Sequence, residues 1–539
     1  MGNKSTRKSF IFTCVVLSYM LMMLSCASRH ALVVEEYHSA PTIPRYDIFE
    51  LFFEHNGTYE NNFDDVAINV VFTSPSGIQY DVKGFYYADD LWKVRFRPDE
   101  IGRWTYVYAM TGKGELLKRG DGFFECTISG YEGPVLRNPE NPYRFVFASG
   151  KPYYPVGLQD CFYADGSRLL DIPLDELHEP KLVSADKFLF IYGQAGFNLL
   201  RFSQKNCSYD LYDDLAHFRE DKSIATDYLL SSARRQGFRI MFGFFGFHDT
   251  RLNVWEELNV ITADDHETVD KEKRFIDYCI ARWGVYVDFW ELLNERDATD
   301  EWTTVMADHV RSVDPYQKPI STSWERPDLP VIDINSPHWY ESENILQSDF
   351  RVQQLAALWK KSGKPVIVSE QGNSGSNWDP LSGERMRIRT WTALFQETSF
   401  VFWHTGIVYK NDEAANIYIG PEERGYIRVL QNFSSKLDSE VRMVPVEVSS
   451  PDRVRAYGLE SNSVAAAYLH HFEDHDSLIN DIKITLDIPS ADNANDELIL
   501  EWIDPSTGNV LSSVYVQSGL QTLDVPAFSI DLALLITSL

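Results

Sequence analysis

The chain has 539 residues, enough for two to four domains, and its 44% hydrophobic and 24% charged residues are the balance of a globular protein with sizeable cores. Lys and Arg number 50 against 79 acidic residues, a net charge of -29. That opposes a nucleic-acid partner, which calls for clustered cations, and opposes adsorption to anionic lipid.

In chain order, Lys4, Arg7 and Lys8 precede an apolar run from Phe10 to Leu24 and then Ser25-Cys26-Ala27. Basic, apolar and small-residue regions in that order make an export signal, and the run is shorter than the roughly 20 residues that span a bilayer. Met23-Leu24-Ser25-Cys26 resembles a bacterial lipoprotein cleavage box, which implies a leader over 1–26 and a lipid on Cys26. The expected location is outside the cytoplasm, lipid-anchored at the periplasmic or cell surface; ordinary cleavage and secretion is the alternative. Residues 27–45 read as a tether. Cys126, Cys161, Cys207 and Cys279 have no metal-ligand spacing and read as buried thiols, with one disulfide possible if two of them meet.

From 46 to 130, short runs such as Val66-Ala67-Ile68-Asn69-Val70-Val71-Phe72 alternate with period two and are separated by turns such as Ser74-Pro75-Ser76-Gly77. This predicts an N-terminal β-sandwich. Its Phe96-Arg97-Pro98-Asp99-Glu100-Ile101-Gly102-Arg103-Trp104 resembles a module found ahead of bacterial glycosidase-like barrels, where it serves either sugar binding or packing against the barrel. After a joint at Pro134, Pro139 and Pro142, strands alternate with amphipathic helices from 140 to 440, the pattern of parallel βαβ units. Eight strand candidates, starting near Tyr154, Asn198, Arg239, Val285, Pro319, Ile334, Pro365 and Phe400, predict a closed (β/α)₈ barrel. The fifth crossover, Arg326–Val331, is short for a helix. From 446 to 539 the alternation returns, predicting a small C-terminal β-sandwich.

Two barrel strands end in carboxylates: Trp290-Glu291-Leu292-Leu293-Asn294-Glu295 and Val366-Ile367-Val368-Ser369-Glu370. The C-terminal tips of barrel strands carry the chemistry of this fold, and two carboxyls across the mouth are the minimum for cleaving a glycosidic bond. An Asn-Glu pair alone would more often be a helix cap; the joint order of polar residues at several strand tips is what raises it above that.

These segments resemble clan A of the retaining glycoside hydrolases, over the stretch from the Pro-rich joint to Leu437. The resemblance implies Glu295 as acid/base, Glu370 as nucleophile and Asn294 as ligand of the sugar 2-hydroxyl. It further implies that Arg201 fixes and ionises the nucleophile, that His248 and His338 bind substrate, that Tyr340 hydrogen-bonds the nucleophile, and that Trp403 stacks on the sugar. Asp160, Glu325 and Glu341 are further carboxylates at strand tips, and the loop Gly372–Trp378 is a candidate subsite wall. Glu291, deeper in its strand, reads as a structural carboxylate of the interior. No phosphate loop, HExxH or paired-Cys site suggests a cofactor or metal. The expected function is double-displacement hydrolysis of a poly- or oligosaccharide. The rival is a carbohydrate-binding surface lipoprotein with an inactive barrel.

Overall fold

The computed structural model describes residues 34–160, 167–169, 182–203, 211–215, 217–246, 260–323, 325–373, 381–403, 417–490 and 497–538. The leader with Cys26, and Cys161, Cys207, His248, Trp324 and Trp378, lie outside them.

Strict alternation builds the N-terminal sandwich. Phe49–His55 and Val66–Thr73 bury every second side chain, in sheets of four and five strands whose inner faces meet over Phe49, Phe72, Trp104 and Phe124. The sandwich is bolted to the barrel by charge. Arg95 Nη1 reaches Asp227 Oδ1 at 2.8 Å and Arg282 Nη2 reaches Asp227 Oδ2 at 2.7 Å, joining the sheet to the helices Glu220–Arg235 and His266–Trp283. Of the two roles the sequence leaves open for this module, packing against the barrel is visible here.

The central sheet is wholly parallel and closed. Its staves are Gly157–Gln159, Leu199–Ser203, Arg239–Phe245, Phe289–Leu293, Ile320–Thr322, a sixth in two pieces (Ile334–Asn335 and His338–Tyr340), Val366–Gly372 and Thr398–Trp403. The eighth pairs back on the first, with Gly157 opposite Val401 and Gln159 opposite Trp403. Burial on both faces explains why strand four reads as an unbroken apolar run: all of Phe289–Leu293 is buried. Ser336-Pro337 interrupts strand six because proline cannot donate to the ladder. The crossover after strand five has no helix, as its length predicts.

A three-stranded plug, Val135–Arg137, Phe145–Phe147 and Pro152–Tyr153, closes the barrel's N-terminal end, packing Phe145 and Tyr153 against Leu199, Met241, Phe289, Ile367 and Val401. The C-terminal domain has sheets of six and three strands. It docks on the barrel helices through Tyr457 Oη donating to Asp349 Oδ2 at 2.9 Å and Arg387 Nε to Asp531 Oδ2 at 3.0 Å. Cys126 and Cys279 are buried and form no disulfide among the described residues. Among the described residues no helix is long and apolar enough to cross a membrane.

Candidate active site

Side chains alternate in and out along each stave, so Phe289, Glu291 and Leu293 share one side of strand four and Arg201 meets Glu291 inside the barrel. Arg201 is the hub. Its Nε and Nη2 bond both Glu291 oxygens at 2.8 Å, a bidentate pair with both side chains fully buried. The remaining donors reach further round: Nη2 to Asn294 Oδ1 at 2.6 Å, Nη1 to Glu370 Oε1 at 2.6 Å, and Nη1 also to Gln159 Oε1. Glu291 is therefore structural, as expected. It fixes the guanidinium plane so that the other edge presents itself to strands one, four and seven.

Strand seven delivers Glu370 by an irregularity. Pairing with strand eight is regular from Val366 to Val368, then slips before Gln371. A bulge of this kind re-aims side chains at a strand tip. Glu370 lands beside His338, its register partner on strand six, and is 5% exposed. Burial pushes its carboxyl up, but the charges of His338 and Arg201 and hydrogen bonds from Tyr340 and Arg201 outweigh burial and hold it below the usual carboxylate range. Tyr340 donates to Glu370 Oε2. Burial, then the Glu370 charge, hold the Tyr340 phenol well above its ordinary value, so it stays a donor.

Glu295 sits just past the end of strand four in the left-handed region, φ 48°. That conformation is uncommon for a side chain with Cβ and clusters at functional sites. It is held by Ser323 Oγ, which accepts from Glu295 N at 3.1 Å and donates to Leu293 O at 3.1 Å. Glu295 Oε1 lies 2.6 Å from His338 Nδ1, which is also 3.4 Å from Glu370 Oε2. An oxygen of each glutamate and a ring nitrogen of His338 all lie within 4.8 Å of one another. This trio is also a geometric set for a divalent cation, but both Glu370 oxygens already accept hydrogen bonds that such an ion would have to displace.

Asn294 Oδ1 accepts from Arg201, and Ser323 Oγ lies 3.3 Å from it. Its NH₂ is consequently the end left to donate, and no acceptor among the described residues takes it. Asp160 is buried at the tip of strand one and Trp403, partly buried, ends strand eight, so both border the same mouth. Glu341 is tied down through one oxygen: Oε2 accepts from Arg351 Nε at 2.7 Å and Trp339 Nε1 at 2.9 Å. Glu325 is exposed beyond strand five. Sequence reasoning missed Gln159 and Ser323. Gln159 had one signal, a polar residue at an interior strand tip; Ser323 had none.

Residues 42–111 match the family model of a domain of unknown function, DUF5060. No curated protein sequence matches the chain. Among solved structures, a Bacteroides vulgatus protein provisionally named a glycoside hydrolase aligns over 93% of this chain and 100% of its own, with 18% identity and a TM-score of 0.65. The two share a fold, a closed parallel barrel flanked by β modules. A family 39 glycoside hydrolase from Bacteroides cellulosilyticus aligns more loosely, over 94% of this chain and 100% of its own, at 12% identity and a TM-score of 0.45.

Proposed function

We propose that this chain is a retaining glycoside hydrolase acting on the O-glycosidic bonds of a poly- or oligosaccharide. The observation that carries the reading is the pair of strand-tip glutamates with oxygens within 4.8 Å of each other. Retaining enzymes hold their carboxyls about 5–5.5 Å apart, and inverting ones about 6.5–9.5 Å to admit a water. In the first step Glu370 attacks the anomeric carbon while Glu295 passes its proton to the leaving oxygen. In the second, the Glu295 carboxylate takes a proton from water, which displaces Glu370 and restores the starting configuration.

The surrounding groups suit these roles. His338, Arg201 and Tyr340 keep Glu370 ionised, and His338 Nδ1 lies 2.6 Å from Glu295 Oε1, within hydrogen-bond reach of the group that must exchange a proton. The Asn294 NH₂ is the donor for a sugar hydroxyl beside the reacting carbon. An exported, lipid-anchored location rests on the leader sequence and Cys26.

The test is stereochemical. Proton NMR of the first product from a cleaved glycoside, recorded before mutarotation, should show the anomer of the substrate; the opposite anomer would remove the covalent intermediate.

Tyr340→Phe supplies a pH prediction. Glu370 must be ionised to attack, its carboxyl is held low, and activity is lost as pH falls through its folded-state value. Deleting the Tyr340 donor raises that value, so the acid limb of kcat/KM moves to higher pH. At neutral pH kcat/KM falls about 10-fold or more, the worth of a hydrogen bond to a charged group. An acid limb left where it was would show that Tyr340 does not tune the nucleophile.

A further inference from the structure

A cavity of about 190 Å³ lies at the end of the barrel away from the glutamates, between the plug, the starts of strands seven and eight, and the segment after the helix Pro421–Ser434. Val366 lines it, and Glu370 is four residues further along the same strand, about 13 Å at 3.3 Å per residue. Holding a barrel's shape asks nothing of this end except packing. The lining is nevertheless rich in both aromatic and ionic side chains.

Most polar groups around the cavity are already satisfied. Asn198 Oδ1 accepts from Val156 N and its Nδ2 donates to Tyr154 O, both at 2.9 Å. Tyr154 Oη donates to Thr398 O at 3.1 Å. Asp438 accepts from the hydroxyls of Ser461 and Ser463. Glu397 takes its short bonds from Asn141 Nδ2 at 2.6 Å and Lys360 Nζ at 2.8 Å.

Arg144 is the exception. Its Nε is 3.4 Å from Glu397 Oε1 and its Nη2 3.5 Å from Leu394 O, at the edge of hydrogen bonding, and its Nη1 bonds no described protein atom. The side chain is 13% exposed, and burial pushes the guanidinium below its ordinary range despite the Glu397 charge. A buried cation with poor partners is costly unless something else pairs with it. Two further cations border the space: Arg239, 3.7 Å from Asp288 and lying over the Phe147 ring, and Lys151, 3.4 Å from Glu132. Three cations thus line the cavity beside two carboxylates, Glu397 and Asp438, and of the three Arg144 is the most deeply buried. The rings of Tyr143, Phe145, Phe147 and Tyr153 complete the wall.

We propose that this cavity binds a small ring-shaped anion, a sugar-sized ring bearing a carboxylate, sulfate or phosphate, with Arg144 pairing its charge and the aromatic wall covering its apolar face. The cavity, at about 190 Å³, admits a six-membered ring, since one of about 150 Å³ accepts benzene. Arg presents a planar fork matched to such oxyanions. The site is separate from the strand-tip glutamates and does not depend on what they do.

The test uses the full-length protein carrying Glu370→Gln, so that no probe is consumed. Glucuronate, glucose 6-sulfate and glucose 6-phosphate are titrated by calorimetry, with glucose as the neutral control. At least one anion should bind at a single site at least 10-fold more tightly than glucose, and which anion wins distinguishes carboxylate from sulfate or phosphate. Arg144→Met should weaken that anion at least 10-fold, and Trp403→Ala at the opposite end should leave it unchanged. Should Arg144→Met fail to fold, the exposed Lys151→Glu should weaken binding several-fold. Failure of every anion to bind, equal binding of glucose, or indifference to both cavity variants overturns the proposal.

Discussion

Glu370→Gln is expected to lower turnover of any cleaved glycoside by about 10⁴-fold or more, the scale seen when a nucleophile is removed from a concerted site. The amide keeps an oxygen to accept from Arg201, and its NH₂ can donate to the Tyr340 hydroxyl in place of the second carboxylate oxygen, so the fold should persist while the attacking charge is gone. Glu295→Ala should behave differently. It removes only proton transfer, which contributes about 10²–10⁴-fold. That loss should be large for substrates with a poor leaving group and small in the first step for aryl glycosides with an acidic phenol. Azide, entering the space left by the side chain, should then yield a glycosyl azide of retained configuration. The contrast between the two variants, measured on the same pair of substrates, separates nucleophile from acid/base. Equal losses on both substrates for both variants would assign neither role.

How much of this could be read from residues alone depends on which physical signal each feature leaves. Doubly buried parallel strands announce themselves as apolar runs, and a polar tip on such a run is conspicuous; Asn294, Glu295 and Glu370 are legible for that reason, and Arg201, His338 and Tyr340, like Trp403, through the resemblance to the clan. The structure brings the first six into one bonded cluster and leaves Trp403 at the rim. What Glu291 holds was not legible, because pairing across a barrel has no sequence spacing. The slip before Gln371 left no trace either, although it decides which way Glu370 points. The helix Ala185–Gln194 is hard to read from its residues, because its buried Phe188, Leu189 and Tyr192 are masked by an exposed Phe190 between them. Strands Val510–Val516 and Gly519–Asp524 leave a weak signal for a related reason, since neither contains a fully buried residue.

Arg201→Met should cost about 3–5 kcal/mol of unfolding free energy, the penalty for breaking a buried pair from one side. The argument is one of unequal removal. Glu291 has both oxygens on this guanidinium and no exposure, so without it a carboxylate is left in the interior with nothing to balance it. Adding Glu291→Gln to Arg201→Met removes that stranded charge and should recover a good part of the loss, in the way that deleting both members of a buried pair is often nearly neutral. Activity should not recover with it. Glu370 would still lack the cation that, with His338, holds its carboxyl low, and Asn294 would lack the donor that turns its NH₂ toward substrate. Urea unfolding of the two single variants and the double variant, beside kcat/KM for each, tests both halves at once. A double variant no more stable than Arg201→Met would mean that Glu291 is not the group the arginine was neutralising. A double variant with restored turnover would mean that Glu370 is prepared for attack without Arg201.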